Sequence, residues 1–531
     1  MSYINHPLLK PDKLEYREYQ TSIAVKVLQG NSLIVLPTGM GKTPVLLQVI
    51  LAKWDEVDKV LVMAPTRPLV EQHRRFFRAM LADEPSDFVE FVHGLVQPAE
   101  REKIYHFNKV IITTPQTARH DIEEGILDPR RFGIVCFDEC HRAVGEYDYC
   151  HVAALFRQAE SKALMIGMTA SPGTDQESVD EVCMNLGLNQ RLVRTKDDPD
   201  VVEYVQPTPE EVVRVPLDPL VEEPVKRFRR LAQKTYDRLN ETGRPEVFRE
   251  RLGDTTSKSR VLKLIESVGA SLKASRNPRM AGQVTASPKL FMVMRDLAMI
   301  VKIRHAIEMG ETQGSVPMYD YLIKLKEGDK KADAMITSSD EYKLSLRQLS
   351  ASMFRDGTDP DPVTPKLKAL TEIVMAEFEK DPESRVLVFT TYRNALEVCY
   401  RHLKRVGDGT VRPARFVGQA DGRSNRGMSQ QTQRKVVQEF RDGKFNVLIA
   451  TSVGEEGIDI PGCNLVVFHE PPNSAIRHIQ RRGRTGRFEA GRCVILVAKG
   501  STDEAYLQAN RRGERNMQTT LTSRMRQEVF G

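Results

Sequence analysis

The sequence predicts an α/β protein in which two doubly wound, parallel-sheet domains flank an inserted α-helical domain. Three observations carry this expectation. An apolar strand-like run, Leu33 to Leu36, empties through a Pro/Gly turn into the apolar-periodic stretch VLLQVILAKW, giving strand, loop and helix in succession. Strand runs that end in polar turns recur up to residue 206 and resume after residue 365. Between those points they give way to long helical patterns rich in Lys and Arg.

The first strand and its turn, SLIVLPTGMGKT (Ser32 to Thr43), form a phosphate-binding loop by pattern, with Pro37, Thr38, Gly39, Met40, Gly41, Lys42 and Thr43 as the nucleotide cradle. Gly39 and Gly41 remove side chains so that backbone N–H groups close on phosphate oxygens, and the helix that follows adds its positive dipole end. Lys42 is placed to reach the β- and γ-phosphates of ATP, and the Thr43 hydroxyl to bind Mg2+. Leu36 stands where the full motif has glycine, so the match is to the shorter G-x-G-K-T ending. Upstream, YREYQ brings Gln20, whose amide offers a donor and an acceptor to one edge of adenine.

Further strands read as KVLVMAP, KVIITTPQT, FGIVCFDECH and ALMIGMTASP, each ending in polar residues at its carboxyl end, where doubly wound sheets bind ligands. Asp138 and Glu139 directly follow the strand GIVCF. Beside a phosphate loop, such a pair supplies one carboxylate for Mg2+ (Asp138) and one to orient and deprotonate the attacking water (Glu139). The domain boundaries expected on these grounds are 1–206, a helical insert with its linker over 207–365, a second sheet domain over 366–500, and a basic helical tail over 501–531. In the insert, Leu290, Met294, Leu297, Ile300, Val301 and Ile303 keep a three-four spacing that predicts one buried face. The second sheet domain contains QRRGRTGR, whose guanidinium groups suit charge on a transferring phosphoryl group. A phosphate loop in one domain and such arginines in the other make a site completed on domain closure, the plan of a nucleotide-driven motor.

Composition is that of an ordinary globular protein, 28% charged and 40% hydrophobic, and 531 residues exceed what one core would organise. The net charge of +6 is compatible with a polyanionic partner without demanding one. No apolar run approaches the roughly 18 residues of a membrane span, and MSYINHPLLK lacks a secretory pattern, so an intracellular protein with no membrane partner is expected, cytoplasmic in an archaeon or nuclear in a eukaryote. The seven Cys include no C-x-x-C pair, and the spacing of Cys136, Cys140, His141, Cys150 and His151 fits no standard zinc pattern.

The ordered set YREYQ, PTGMGKT, APTRPLVEQH, TTPQT, DECH, TAS, VLVFTTY, VLIATSVGEEGIDIP and QRRGRTGR resembles the motif series of superfamily 2 DExD/H-box helicases, with two RecA-like motor domains. The wording FVGQADG, GMSQQTQRKVVQEF, HEPPNSAIRHIQRRGRTGR and AKGSTDEAY is most similar to the helicase part of archaeal Hef and its Fanconi anaemia M-type relatives. The resemblance implies an ATP- and Mg2+-dependent translocase acting on forked or branched DNA at stalled replication forks. It implies that Gly457 and Asp459 contact nucleotide and that Arg484 and Arg487 are arginine fingers. His141, Thr169, Ser171 and Gln480 would couple the ATP state to the other domain, and Arg67, Thr114, Gln116, Thr390 and Thr451 would lie along the nucleic-acid backbone. Two departures stand out. Hef is usually fused to an XPF-type nuclease and a helix-hairpin-helix module that are not visible before Gly531, which makes such a nuclease an expected further module or partner. Cys140 in DECH also occurs in RIG-I-like enzymes, and an RNA-directed enzyme of the RIG-I or Dicer type is the alternative reading. In the insert, Lys258, Lys263, Lys273, Arg276, Arg279, Lys289, Arg295, Lys302 and Arg304 are candidates for holding a second arm of a branched substrate.

Overall fold

The structure, a computed structural model, describes residues 2–173, 175–205, 209–243, 247–274, 288–353, 362–418, 427–451, 460–472 and 491–519. Gly457, Asp459, Gln480, Arg484 and Arg487, with Arg276 and Arg279 of the insert, lie outside the described residues.

Seven strands form the first sheet: β1 (Ser32–Val35), β2 (Lys59–Met63), β3 (Val89–Val92), β4 (Val110–Thr113), β5 (Phe132–Asp138), β6 (Leu164–Thr169) and β7 (Gln190–Val193). They run parallel in the order β3-β4-β2-β5-β6-β1-β7. The strands are short and largely apolar, and β1, β2 and β4 are buried along their whole length, as a sheet covered by helices on both faces requires. Val45, Leu46, Ile50, Val70 and Phe77 pack on one face, and Ala118, Tyr149, Val152 and Phe156 on the other. Two strand spacings, about 10 Å, separate the ends of β1 and β5 across β6. Gly167 of β6 leaves room for Leu188 and the turn at Cys140 to seat on the sheet, because a Cβ there would lie 2.8 Å from Leu188 Cδ1 and 3.1 Å from Cys140 Sγ.

The second sheet has the order β10-β11-β9-β12-β13-β8 and is also parallel. Its strands are β8 (Glu210–Val215), β9 (Val386–Phe389), β10 (Pro413–Phe416), β11 (Val447–Ala450), β12 (Leu465–Phe468) and β13 (Arg492–Ala498). The expectation that strands vanish after residue 207 is corrected here. Glu210–Val215 (EEVVRV) leaves the first domain and pairs along β13 as the outer strand of the second sheet, and its exposed Glu211 and Arg214 suit an edge position. The chain thus enters the second domain before it makes the insert.

The insert comprises the helices Pro219–Gly243, Lys258–Ala274, Pro288–Glu308, Ser315–Lys326, Lys331–Ser338 and Asp340–Met353, with a π-helical turn at Met309–Gln313. In Pro288–Glu308, Leu297, Ile300 and Ile303 are buried as the spacing predicts, whereas Leu290, Met294 and Val301 are only half-buried. Val293, Met299 and Ala306 are buried as well, because neighbouring helices press on this segment from more than one side. Three of the basic residues considered above are committed internally: Arg295 bonds Asp296 (2.9 Å), Lys302 pairs with the buried Asp333, and Arg304 donates to the Thr256 carbonyl (2.5 Å).

Polar contacts join the π turn to the second sheet domain and to the C-terminal helix Thr502–Thr519. Tyr506 Oη donates to Glu308 (2.8 Å), the Thr502 N–H donates to Glu311 (2.9 Å), and Lys366 Nζ reaches both the Thr312 carbonyl (2.7 Å) and Asp503 (2.6 Å). That C-terminal helix packs Leu507 into the second domain's core and Met517 against that of the first. The Lys366–Asp503 pair is almost fully buried. Lys366→Met is therefore expected to destabilise the second domain by about 3–5 kcal/mol, by stranding a buried carboxylate, and Lys366→Met with Asp503→Leu to recover most of that loss. Urea unfolding of the two variants measures the difference.

Candidate nucleotide and nucleic-acid site

The loop after β1 turns twice through left-handed backbone, at Gly39 (φ +86°) and Gly41 (φ +81°). Gly41 caps the helix Lys42–Ala52, so the first-turn N–H groups face the loop. A Cβ at Gly41 would lie 2.3 Å from Gln20 Nε2. Gln20 is buried, and its amide donates to the Met40 carbonyl (3.0 Å), which also accepts from Tyr19 Oη (2.7 Å). Gln20 therefore braces the loop from behind, a role its sequence context did not announce.

At the end of β5, Asp138 is buried and both of its oxygens are engaged. Oδ1 accepts from the Glu139 N–H (3.0 Å) and Oδ2 lies 2.8 Å from His73 Nε2. Desolvation opposes its charge, yet the His73 hydrogen bond, the charges of His73 and Lys42, and the Glu139 N–H together hold its carboxyl below the usual range. Glu139 adopts φ +50°, a region L-residues seldom enter, at the sharp turn off the strand. Its Oε2 is 3.4 Å from His141 Nδ1, which in turn lies 3.0 Å from Thr169 Oγ1. Thr169 Oγ1 also accepts from the Ser171 N–H (3.1 Å), and Ser171 Oγ is buried without a hydrogen-bond partner among the described residues. Burial, with Arg142 and Lys42 nearby, pushes His141 down to about 4.

These residues fit a magnesium nucleotide. Among the described residues no three His, Cys, Asp or Glu side chains converge as a protein-only metal site. Thr43 and Asp138 instead offer two oxygen donors beside a glycine cradle, the limited protein share expected of an ion that fills its shell with phosphate oxygens and water.

The structure thus brings together Gln20, the Pro37–Thr43 loop, Asp138, Glu139, His141, Thr169 and Ser171 along one edge of the first sheet. Arg67 opens the helix Arg67–Met80 after β2, and Gln116 is exposed in the first turn after β4. Thr114, Thr390 and Thr451 are not presented to the surface. Thr114 Oγ1 is buried against Thr117 Oγ1 (3.0 Å), Thr390 Oγ1 donates to the Tyr392 carbonyl (3.1 Å), and the Thr451 N–H is bonded to Phe416 (3.2 Å). Each follows the end of a strand; the hydroxyls of Thr114 and Thr390 bond within the next few residues, and the Thr451 N–H extends the pairing of β11 with β10. Sequence reasoning missed His73, Tyr19 and Tyr149, which donates to the Asp138 carbonyl (2.7 Å). His73 had a usable signal, since Val70, His73 and Phe77 fall on one helical face.

A glycine cradle one strand removed from an acidic strand end is how P-loop nucleoside triphosphatases are built, and the second parallel sheet makes this chain one of the two-domain kind. The family model described as Type III restriction enzyme, res subunit, matches residues 13–174, and that described as Helicase conserved C-terminal domain matches residues 365–489. The crystal structure of the Pyrococcus furiosus Hef helicase domain is 37% identical, with a TM-score of 0.67 over 94% of this chain and 99% of that one. The mph1 ATP-dependent DNA helicase of Aspergillus fumigatus is 31% identical over 94% of this chain and 46% of its own length. A Methanocaldococcus jannaschii protein carrying the name of an ATP-dependent RNA helicase is 34% identical over 98% of this chain and 62% of its own length. The chain therefore belongs to the superfamily 2 DExD/H-box helicases, in the family of Hef and Mph1, and spans 46–62% of the length of these two curated relatives. Among the described residues no helix is long and apolar enough to cross a membrane.

The His141 shift has a pH consequence. Its folded value, about 4, lies below the unfolded 6.5, so between those values the unfolded chain binds more protons and stability falls as pH falls. Between pH 7 and pH 4 the wild type is expected to lose up to about 3 kcal/mol more than His141→Gln, which thermal melts across that range will read.

Proposed function

We propose that the protein is an ATP- and magnesium-dependent translocase on forked or branched DNA, indifferent to sequence, that serves repair at stalled forks. The observation that carries this reading is the likeness to the Hef helicase domain across both sheets and the insert, at 37% identity over 94% of the chain. The convergence of Lys42, Asp138, Glu139 and His141 supports hydrolysis. The boundaries 1–206, 207–365, 366–500 and 501–531 serve as working units, with β8 assigned to the second sheet. An XPF-type nuclease, as module or partner, accompanies this reading.

In the proposed mechanism the N–H groups at Gly39 and Gly41 enclose the phosphates and Lys42 neutralises the β- and γ-oxygens. Gln20, its amide N–H on the loop, accepts from the adenine amine through its side-chain carbonyl. Thr43 and Asp138 hold Mg2+, which supplies charge neutralisation on the phosphate oxygens. Glu139 orients and deprotonates the water, and His141 relays the state of that carboxylate to Thr169 and Ser171. From the second domain Gly457 and Asp459 contact nucleotide, Gln480 couples, and Arg484 and Arg487 stabilise the transferring phosphoryl group. Arg67 and Gln116 grip the strand's phosphates by side chain, while Thr114, Thr390 and Thr451 shape the track from beneath. Contacts of this kind position a strand without reading its bases.

Lys42→Ala is expected to weaken nucleotide binding, whereas Glu139→Gln retains binding and abolishes turnover. Nucleotide titration beside steady-state hydrolysis separates the two, and wild-type turnover by Glu139→Gln would remove Glu139 from the mechanism. Forked DNA is expected to stimulate ATPase more than single-stranded DNA, and both more than double-stranded RNA; strongest stimulation by RNA would favour the RIG-I or Dicer-type reading. Lys258, Lys263 and Lys273 are the exposed cations of the insert's Lys258–Ala274 helix. Replacing all three by Ala should flatten the salt dependence of fork binding by roughly 0.9 slope units for each phosphate no longer neutralised, with single-strand-stimulated ATPase retained. Equal losses on forks and single strands would count against an insert that selects branched DNA.

A further inference from the structure

We propose that His73 is a positioning residue for the magnesium-binding carboxylate of Asp138, and that it makes the setting of that carboxylate depend on the Arg67–Met80 helix. This rests on the reading of Asp138 as the metal ligand. His73 and Asp138 side chains are 6% and 8% exposed and 2.8 Å apart. An ionised carboxylate can only accept, so His73 Nε2 carries the proton. With Oδ2 tied to His73 and Oδ1 to the Glu139 N–H, the carboxylate cannot rotate, yet each oxygen keeps an unused lone-pair direction for a cation.

The imidazole is itself held. Its ring stacks near Phe77, with centroids 6.4 Å apart and planes at 24°, and Val70 shares the same buried face. Arg67, in the proposed nucleic-acid track, lies six residues before His73 on the same helix, about 9 Å along its axis. A shift of this helix on strand binding is carried to Asp138 through one hydrogen bond. Outer-shell partners of this kind are typically worth about 10–100-fold in metal affinity or activity.

The test uses the whole chain and a fluorescent ADP analogue, with affinity measured in Mn2+ and in EDTA. The ratio of the two affinities is the metal-dependent gain. His73→Ala and His73→Phe, the latter keeping a ring on Phe77 without the donor, are expected to lose about tenfold or more of that gain at unchanged affinity in EDTA. His73→Gln, which returns an N–H near the Nε2 position, is expected to restore most of it. Thermal melting identifies any variant that fails to fold, and His73→Phe covers that outcome for His73→Ala. If Asp138→Asn loses the gain while His73→Ala and His73→Phe retain it, the His73 role is overturned and the metal reading stands. Equal losses in Mn2+ and EDTA would reduce His73 to packing. If Asp138→Asn itself keeps the gain, the metal reading of Asp138 falls, and the role of His73 with it.

Discussion

Asp138 is a charge kept ionised where water scarcely reaches, and much of the first domain's edge is arranged around it. Burial alone would drive its carboxyl towards protonation. The opposing donors come from three places in the chain: the Arg67–Met80 helix through His73, the strained turn through the Glu139 N–H, and the phosphate loop through the charge of Lys42. Gly167 lets the turn at Cys140 seat directly on β6. The left-handed backbone of Glu139 belongs to the same constraint, since it is the turn that points one N–H back at Asp138 and aims the side chain at His141.

Much of this is legible in the sequence. Parallel strands buried on both faces write themselves as uninterrupted apolar runs, and the ligand edge of such a sheet falls where those runs end. Hence the phosphate loop, Asp138 and Glu139 could be named from position and residue type, whereas His141 and Thr169 come only with the resemblance to the helicase motif series. The missed features depend on pairing across long sequence separations. EEVVRV carries no local mark that it pairs with Arg492–Ala498, nearly three hundred residues on, instead of opening the helical insert. The inward-facing hydroxyls of Thr114 and Thr390 likewise reflect the detail of each turn, which residue type does not encode. His73 sat in a motif quoted for Arg67, and only its three-residue spacing from Val70 hinted that it faced inward.

The insert shows the limit of reading charge from composition. A helix rich in Lys and Arg suggests a surface for phosphate, yet Arg238 and Arg295 both converge on the buried Asp296, and Lys302 is spent on Asp333. These cations neutralise acids that the insert's own core encloses. The exposed lysines of Lys258–Ala274 differ because that helix lies at the outer side of the bundle, with its apolar side directed to Pro288–Glu308.

Buried carboxylates recur in this chain, and the partner each one has distinguishes scaffold from site. Asp121 is clasped by Arg101 through three hydrogen bonds and by Tyr105, and Asp296 by two arginines. Guanidinium remains charged above pH 12, so in both places the negative charge is permanently cancelled and nothing remains for a ligand. Asp503 is paired with the ammonium of Lys366, and helps fix the C-terminal helix to the second domain. Asp138 is oriented as tightly as any of these, but by an imidazole, which fixes the carboxylate through a single ring N–H without the five-donor fork of an arginine. An acid fixed in direction and left with charge to offer, beside a cradle built for phosphate, is suited to share a divalent cation with a nucleotide; an arginine in place of His73 would have made it one more structural pair.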